Sequence, residues 1–323
     1  MQRFAAAAIV SIAFTIAAAH AADVYPTRPI RLVMPQAPGS SNDTIGRITS
    51  AKLSELLGQP IVIDNRAGGG GILGAELASR AAPDGYTIFS GSAPSHAVAP
   101  ITYRKLPYDP EKSFAPISLF AIADMVLGVN PGLPAKSVQE FVSLARAKPG
   151  ELNMASAGTG SVAHLGGVMF AALTGIKSTH VPYKGGSANI VAVAAGEAQW
   201  LISPVSALMG QIKAGRIRAL AFGGKARSSF LPELPTLKES GVPGYEFYTW
   251  TGLMTPAGTP AAIVDRLHVA MVKALTSSDV KAQLMALGVE PSPSKSPAEF
   301  AAFIRNEQRK MRELAKIAGL KPE

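Results

Sequence analysis

Short apolar runs alternate with amphipathic ones along most of the chain. Ile30–Met34 is continuous and apolar, as a buried strand should be. Over residues 43–57, Ile45, Ile48, Leu53 and Leu56 provide a buried helix side. Residues 61–63 predict a second strand, and residues 73–82 a second helix, stopped by Pro83-Asp84-Gly85. Residues 86–90 predict a third strand. This strand–helix–strand–helix–strand order predicts a mostly parallel sheet with helices on both faces.

A second such series starts near Asp124. Strands are expected at 125–129, 152–155, 179–181, 199–203 and 218–222, with helices at 161–173, 188–195 and 205–213. Ser137 and Glu140 form a capping box for a further helix that runs to Lys148 and stops at Pro149-Gly150. Beyond a punctuated connector at 232–243 the chain turns helical. Thr259-Pro260 reads as a cap followed by proline at the first helical position, with Ile263, Leu267, Met271 and Leu275 on one face. Ser296-Pro297-Ala298-Glu299 opens the last helix, with Phe300, Phe303, Ile304, Met311 and Leu314 inward. Two α/β series with helices appended predict two lobes and a cleft.

Two strand-to-helix junctions carry the candidate chemistry. The first is Met34-Pro35-Gln36-Ala37-Pro38-Gly39-Ser40-Ser41-Asn42-Asp43. The second is Met154-Ala155-Ser156-Ala157-Gly158-Thr159-Gly160-Ser161. A helix start has unpaired N–H groups and roughly half a positive charge, and small residues admit a ligand closely. Ligands of open α/β sheets sit at the carboxyl ends of strands, where both junctions fall. An ordinary strand–helix turn at 156–161 would look the same in sequence. As a clamp, however, a few charge-assisted hydrogen bonds of ~1.5–3 kcal/mol each suffice for the ~8 kcal/mol of micromolar anion binding after ordering costs, without Arg or Lys.

The N-terminus adds an address. Arg3, the apolar residues 4–18 and Ala19-His20-Ala21 have the form of a signal peptide over residues 1–21, cleaved before Ala22. No later run of 18 uninterrupted apolar residues follows. The chain has no cysteine, which excludes a lipoprotein anchor, disulfides, thiol catalysis and Cys-based zinc sites. A periplasmic location is expected. Formal charge is +9, or +8 without Arg3. The basic residues are scattered or, at 305–316, interleaved with Glu307 and Glu313, which fits a solvated helix face better than a nucleic-acid stripe.

Other motifs weigh less. Gly69-Gly70-Gly71-Ile72-Leu73-Gly74 matches a dinucleotide fingerprint, but Asn65-Arg66-Ala67-Gly68 separates it from its strand, and the strand at 86–90 ends without an acidic residue. A flexible loop rimming the cleft is the plainer reading. Ser278-Asp279-Val280-Lys281 and Ser292-Pro293-Ser294-Lys295 lack the companion motifs of serine enzymes. His96, His164, His180 and His268 show no metal spacing. No catalytic residue, cofactor or metal is expected.

Taken in order, these segments resemble the Bug, or tripartite tricarboxylate transporter, family of periplasmic solute receptors. Its landmarks here are Pro38 to Asp43, Asn65-Arg66 with the glycines through Gly74, and Ala82-Pro83-Asp84-Gly85-Tyr86. Leu106-Pro107-Tyr108-Asp109-Pro110, Ser156 to Ser161 with His164-Leu165, and His180 to Gly185 follow, then Leu234-Pro235-Thr236 and Pro256 to Pro260. The resemblance implies a mixed, mostly parallel α/β fold of the Venus-flytrap type with two crossovers. One lobe would be 22–123 plus 248–323, and the other 124–247. It also implies a ligand carboxylate held between the loops at Gly39, Ser40, Ser41 and Asp43 and at Ala157, Gly158, Thr159, Gly160 and Ser161, through backbone groups and bridging water. Ser92, His96 and Ser203 are expected on the distal wall. Two departures stand out. Ser40 replaces the usual second glycine, and Gln199 replaces a common Asp, which mildly favours a plain carboxylic or aromatic acid over an amino acid. Trp200 is either a stacking surface or core. The expected function is capture of a small organic carboxylate, with membrane transporter subunits as partners, by a monomer. A sensor feeding a membrane kinase and a nucleotide-dependent enzyme are the alternatives.

Overall fold

The computed structural model describes residues 25–317, 320 and 322, without the side chains of Ser41 and Ile317. The expected signal peptide and its cleavage site lie outside these residues. The first series is β1 (Ile30–Met34), α1 (Ser41–Leu57), β2 (Ile61–Asn65), α2 (Ile72–Ser79) and β3 (Thr87–Ser92). A π-type turn at Pro94–Val98 leads into α3 (Ala99–Thr102), and then comes the 16-residue β4 (Phe114–Val129). The second series is α4 (Val138–Ala147), β5 (Asn153–Ser156), α5 (Val162–Thr174), β6 (Thr179–Pro182), α6 (Gly186–Ala195), β7 (Trp200–Pro204), α7 (Val205–Lys213) and β8 (Arg218–Phe222). The chain ends with β9 (Tyr248–Pro256), α8 (Ala261–Thr276), α9 (Ser278–Ala286), β10 (Glu290–Pro291) and α10 (Pro297–Ile317).

The strand order is β2-β1-β3-β9-β4-β7-β5-β6, with β8 and β10 also paired to β4. Strands β1, β2 and β3 run parallel, as do β5, β6 and β7, while every pairing of β4 and β9 is antiparallel. Strand β4 belongs to both halves. It pairs with β9 from Phe114↔Pro256 to Asp124↔Tyr248, and with β7 and β8 from Met125↔Pro204 and Val126↔Phe222 onward. Only its second part was expected. Its first part contains Pro116, which β4 absorbs at a register shift between Pro116 and Ser118. Sequence patterning did not place α3, β9 or β10.

Caps set the helix starts that matter. Ser40 has φ −68° and ψ 160°, and its hydroxyl accepts from Asp43 N–H at 3.3 Å. Ser161 accepts from His164 N–H at 3.2 Å. At the expected boxes the serine half forms, Ser137 Oγ accepting from Glu140 N–H and Ser296 Oγ from Glu299 N–H, while the glutamates accept from Lys136 and Lys295 N–H, one residue before the caps. At α8 the expectation shifts by one residue. Pro260 is the cap and Ala261 the first helical residue, while Thr259 Oγ1 donates to Pro256 O at 2.8 Å.

The cores are apolar and aromatic. One joins Phe89, Phe114, Trp250 and Phe300, and extends to Phe141, Phe170 and Trp200 in the second half. Trp200 is fully buried against Phe141 and Phe170, with Nε1 donating to Ser178 Oγ at 3.1 Å, so it is core rather than a stacking surface.

Candidate functional site

Between the two halves lies a cavity of about 810 Å³. It sits at the carboxyl ends of β1, β5, β6 and β7, where the strands hand over to helices. Gly39, Ser40, Ala157, Thr159, Gly160, Ser161 and Ser203 line it, as expected from sequence. The glycines Gly68 to Gly71 also line it, which fits the rim reading of that loop. Among the described residues no Asp, Glu, Lys, Arg or His lines the wall.

The first junction is built around a buried carboxylate. Asp43 is 2% exposed and accepts from Gly39 N–H at 2.9 Å, from Asn65 Nδ2 at 2.8 Å and from Arg47 Nε at 2.9 Å. Burial alone would raise its pKa. The bonds from Arg47, Asn65 and Gly39 outweigh that and hold it below the usual carboxylate value. Asp43 therefore faces inward and shapes the loop, and it is not on the cavity wall. Gly39 has φ +77°, a conformation suited to glycine. Ser40 has an ordinary negative φ, so a side chain costs nothing there and supplies the cap.

The second junction rests on two histidines. Gly160 N–H donates to His164 Nδ1 at 3.1 Å, so that ring nitrogen must be unprotonated. His164 stacks on His180 with centroids 4.0 Å apart. Burial, and then the neighbouring His180, hold the His164 pKa down to about 4; burial also lowers that of His180. His180 Nε2 lies 2.7 Å from Ser156 Oγ, which accepts from Gly158 N–H at 3.1 Å. Gly160 has φ +73°, and a Cβ there would meet Thr102 Cγ2 at 3.2 Å. This loop thus lies against α3 of the other half.

These bonds consume the N–H groups of Gly39, Gly158 and Gly160. Those of Ser40 and Ser161 donate to Ala37 O and Gly158 O. The first-turn N–H groups with no described partner belong to Asn42 in α1 and to Val162 and Ala163 in α5, and all three residues line the cavity. Sequence reading named the glycines because they permit close approach. The structure assigns them the backbone geometry and leaves donation to the residues after the caps. Thr251 was missed as well. Its Oγ1 donates to Asn42 Oδ1 at 3.2 Å across to β9.

The other expected residues stand elsewhere. The side chain of Ser41 lies outside the described residues, and Gly158 is set back from the wall. Ser92 and His96, expected on the distal wall, lie behind it. Both are fully buried, and the His96 ring packs on Phe114 and Trp250 with its pKa held down to about 3 by burial. The π-type turn after β3 takes His96 inward, and no periodicity announced it; Ser92 is still in β3, paired in register with Thr251 of β9. Gln199 sits just before β7, at the end opposite the cavity, and its Oε1 accepts from Asn153 N–H at 2.8 Å. The ligand preference drawn from Gln199 does not stand: this side chain extends the pairing of β7 with β5.

Residues 45–320 match the model of the tripartite tricarboxylate transporter family receptor. Protein BugT of Bordetella pertussis is 34% identical over 308 residues, covering 95% of this chain and 94% of BugT. The solved structure of R. palustris Rpa4515 with adipate superposes with a TM-score of 0.88 at 36% identity, covering 93% of this chain and 100% of that one. MatC from Rhodopseudomonas palustris with bound malate gives a TM-score of 0.82 at 32% identity, covering 90% and 99%.

Proposed function

Because this chain belongs to the tripartite tricarboxylate transporter receptor family, whose members are two-lobed solute-binding proteins, we propose that it captures a small organic carboxylate in its cleft and hands it on unchanged. The carboxylate sits between the two junctions and accepts from the N–H groups of Asn42, Val162 and Ala163, with the Thr159 hydroxyl beside them. The single observation that carries this reading is the uncharged wall. Anion binding there has to come from helix dipoles and amides, and two capped helix starts face the space. That relatives were solved with adipate and malate supports a small aliphatic carboxylate.

The lobes are residues 22–123 plus 248–323 and residues 124–247, hinged where β4 exchanges β9 for β7 and β8, just past Asp124↔Tyr248. Closure around the ligand presents a surface to membrane transporter subunits. The chain acts as a monomer in the periplasm after loss of residues 1–21. No helix among the described residues is long and apolar enough to cross a membrane. Calorimetry of the mature chain against mono-, di- and tricarboxylates tests the reading. Micromolar binding of at least one member is expected, and folded protein that gives no heat with any of them contradicts it.

A further inference from the structure

A third helix start lines the same cavity, and its wall holds a polar side chain without a partner. Helix α6 begins at Gly186 after the cap Gly185, with no side-chain cap. Gly185 N–H donates to Ala157 O at 3.3 Å, which seats this helix start beside the second junction. Gly185, Gly186, Ser187 and Asn189 line the cavity. Asn189, in the first turn, is 0% exposed, and neither its Oδ1 nor its Nδ2 has a hydrogen-bond partner. Exchanging the two amide atoms changes nothing, because both are unpaired. On the facing helix α7, Gln211 Oε1 is also buried and unpartnered, and Gln211 lines the cavity too.

An amide sealed from water with both ends unmade is costly, and folded proteins keep few of them. The packing reasons for tolerating it are weak here. The next residue, Ile190, packs with Val193, Leu201, Val205 and Leu208 into an apolar cluster that does not include Asn189, so the helix buries its apolar side without this amide. We propose that Asn189, beside the uncapped start of α6, is a second recognition subsite that takes an uncharged group of the ligand able both to donate and to accept, a hydroxyl or a carboxamide, remote from the carboxylate. The assignment rests on the carboxylate reading above and adds the chemistry of the ligand's other end. A carboxylate there only accepts, so Asn189 Oδ1 and Gln211 Oε1 would stay unmade. A hydroxyl or amide N–H gives to Oδ1 while its oxygen accepts from Nδ2 or from the α6 N–H groups.

The test uses the mature chain and matched four- and six-carbon acids whose far end is methyl, hydroxyl, carboxamide or carboxylate: butyrate, 4-hydroxybutyrate, succinamate and succinate, with hexanoate, 6-hydroxyhexanoate, adipamate and adipate. At the better-fitting length, the hydroxyl- or amide-ended acid is expected to bind about tenfold or more tightly than the methyl-ended one, and more tightly than the carboxylate-ended one. Asn189→Leu should erase the preference over the methyl-ended acid, leave that acid bound as before, and keep or raise the melting temperature of the ligand-free protein. Equal affinities across the series, tightest binding of the carboxylate-ended acid, or a preference that survives Asn189→Leu overturns the subsite alone. A lower melting temperature for Asn189→Leu with unchanged preferences assigns Asn189 a structural water and also overturns it. If no acid of either length binds, the carboxylate reading fails and the subsite falls with it.

Discussion

The loop after β5 depends on a histidine that must stay neutral. Gly160 N–H donates to His164 Nδ1, and a protonated ring would present its own N–H at that point. Burial and the stacked His180 hold the His164 pKa down to about 4, from an ordinary 6.5. The folded chain therefore binds fewer protons at this site than the unfolded chain over that interval. The stability that His164 contributes is complete above about 6.5, declines as the pH falls, and is gone below about 4. At roughly 1.4 kcal/mol per pH unit, going from pH 7.5 to 4.5 removes on the order of 2–3 kcal/mol. Urea unfolding of the mature chain at the two pH values measures this, with His164→Asn as the comparison. Asparagine offers an oxygen to the same N–H but does not titrate. The variant should lose on the order of 2–3 kcal/mol less than the native chain over the same interval. Equal losses in the two proteins would refute the reasoning, because other titrating groups contribute alike to both.

Further outcomes follow from the same geometry. Asp43→Ala removes the acceptor of Gly39 N–H, Asn65 and Arg47, so it should cost about 2–3 kcal/mol in chemical denaturation and weaken carboxylate binding by releasing the first loop. Gly39→Val meets no neighbour within 4 Å but forces a branched residue to φ +77°. Its cost, of order 1–3 kcal/mol, should appear as lost affinity in calorimetry. Ser40→Gly keeps an ordinary backbone angle and should lower stability by only a few tenths of a kcal/mol, read from the melting temperature. Gln199→Ala strips the acceptor from Asn153 N–H, so it should lower the melting temperature while carboxylate affinity stays within about twofold.

The alternation of strands and helices was readable because each element buries a face with a clear period. The two strand-to-helix junctions were readable because Ser40 and Ser161 are cap residues within six positions of a strand end. Residues whose role depends on three-dimensional bonding were not. Asp43 looks in sequence like an acid at a helix start available to a ligand, yet its partners Gly39, Asn65 and Arg47 turn it inward. His96 follows a strand end as site residues often do, and a local π-type turn buries it, while Ser92 is buried as the last residue of β3. Gln199 was judged by position alone, and strand direction puts it at the wrong end of β7. The first part of β4 was hidden by Pro116, which a register shift accommodates. Asn189 is a lone amide in a helix of small apolar residues, with no spacing to mark it; only its burial without partners singles it out.

Crystallography of the mature chain with a bound carboxylate probes the central claim most directly. The account predicts carboxylate oxygens about 2.7–3.2 Å from the main-chain nitrogens of Asn42 and of Val162 or Ala163, with no charged side chain in contact. A ligand whose carboxylate is paired to an Arg or Lys, or which lies away from the starts of α1 and α5, would contradict it.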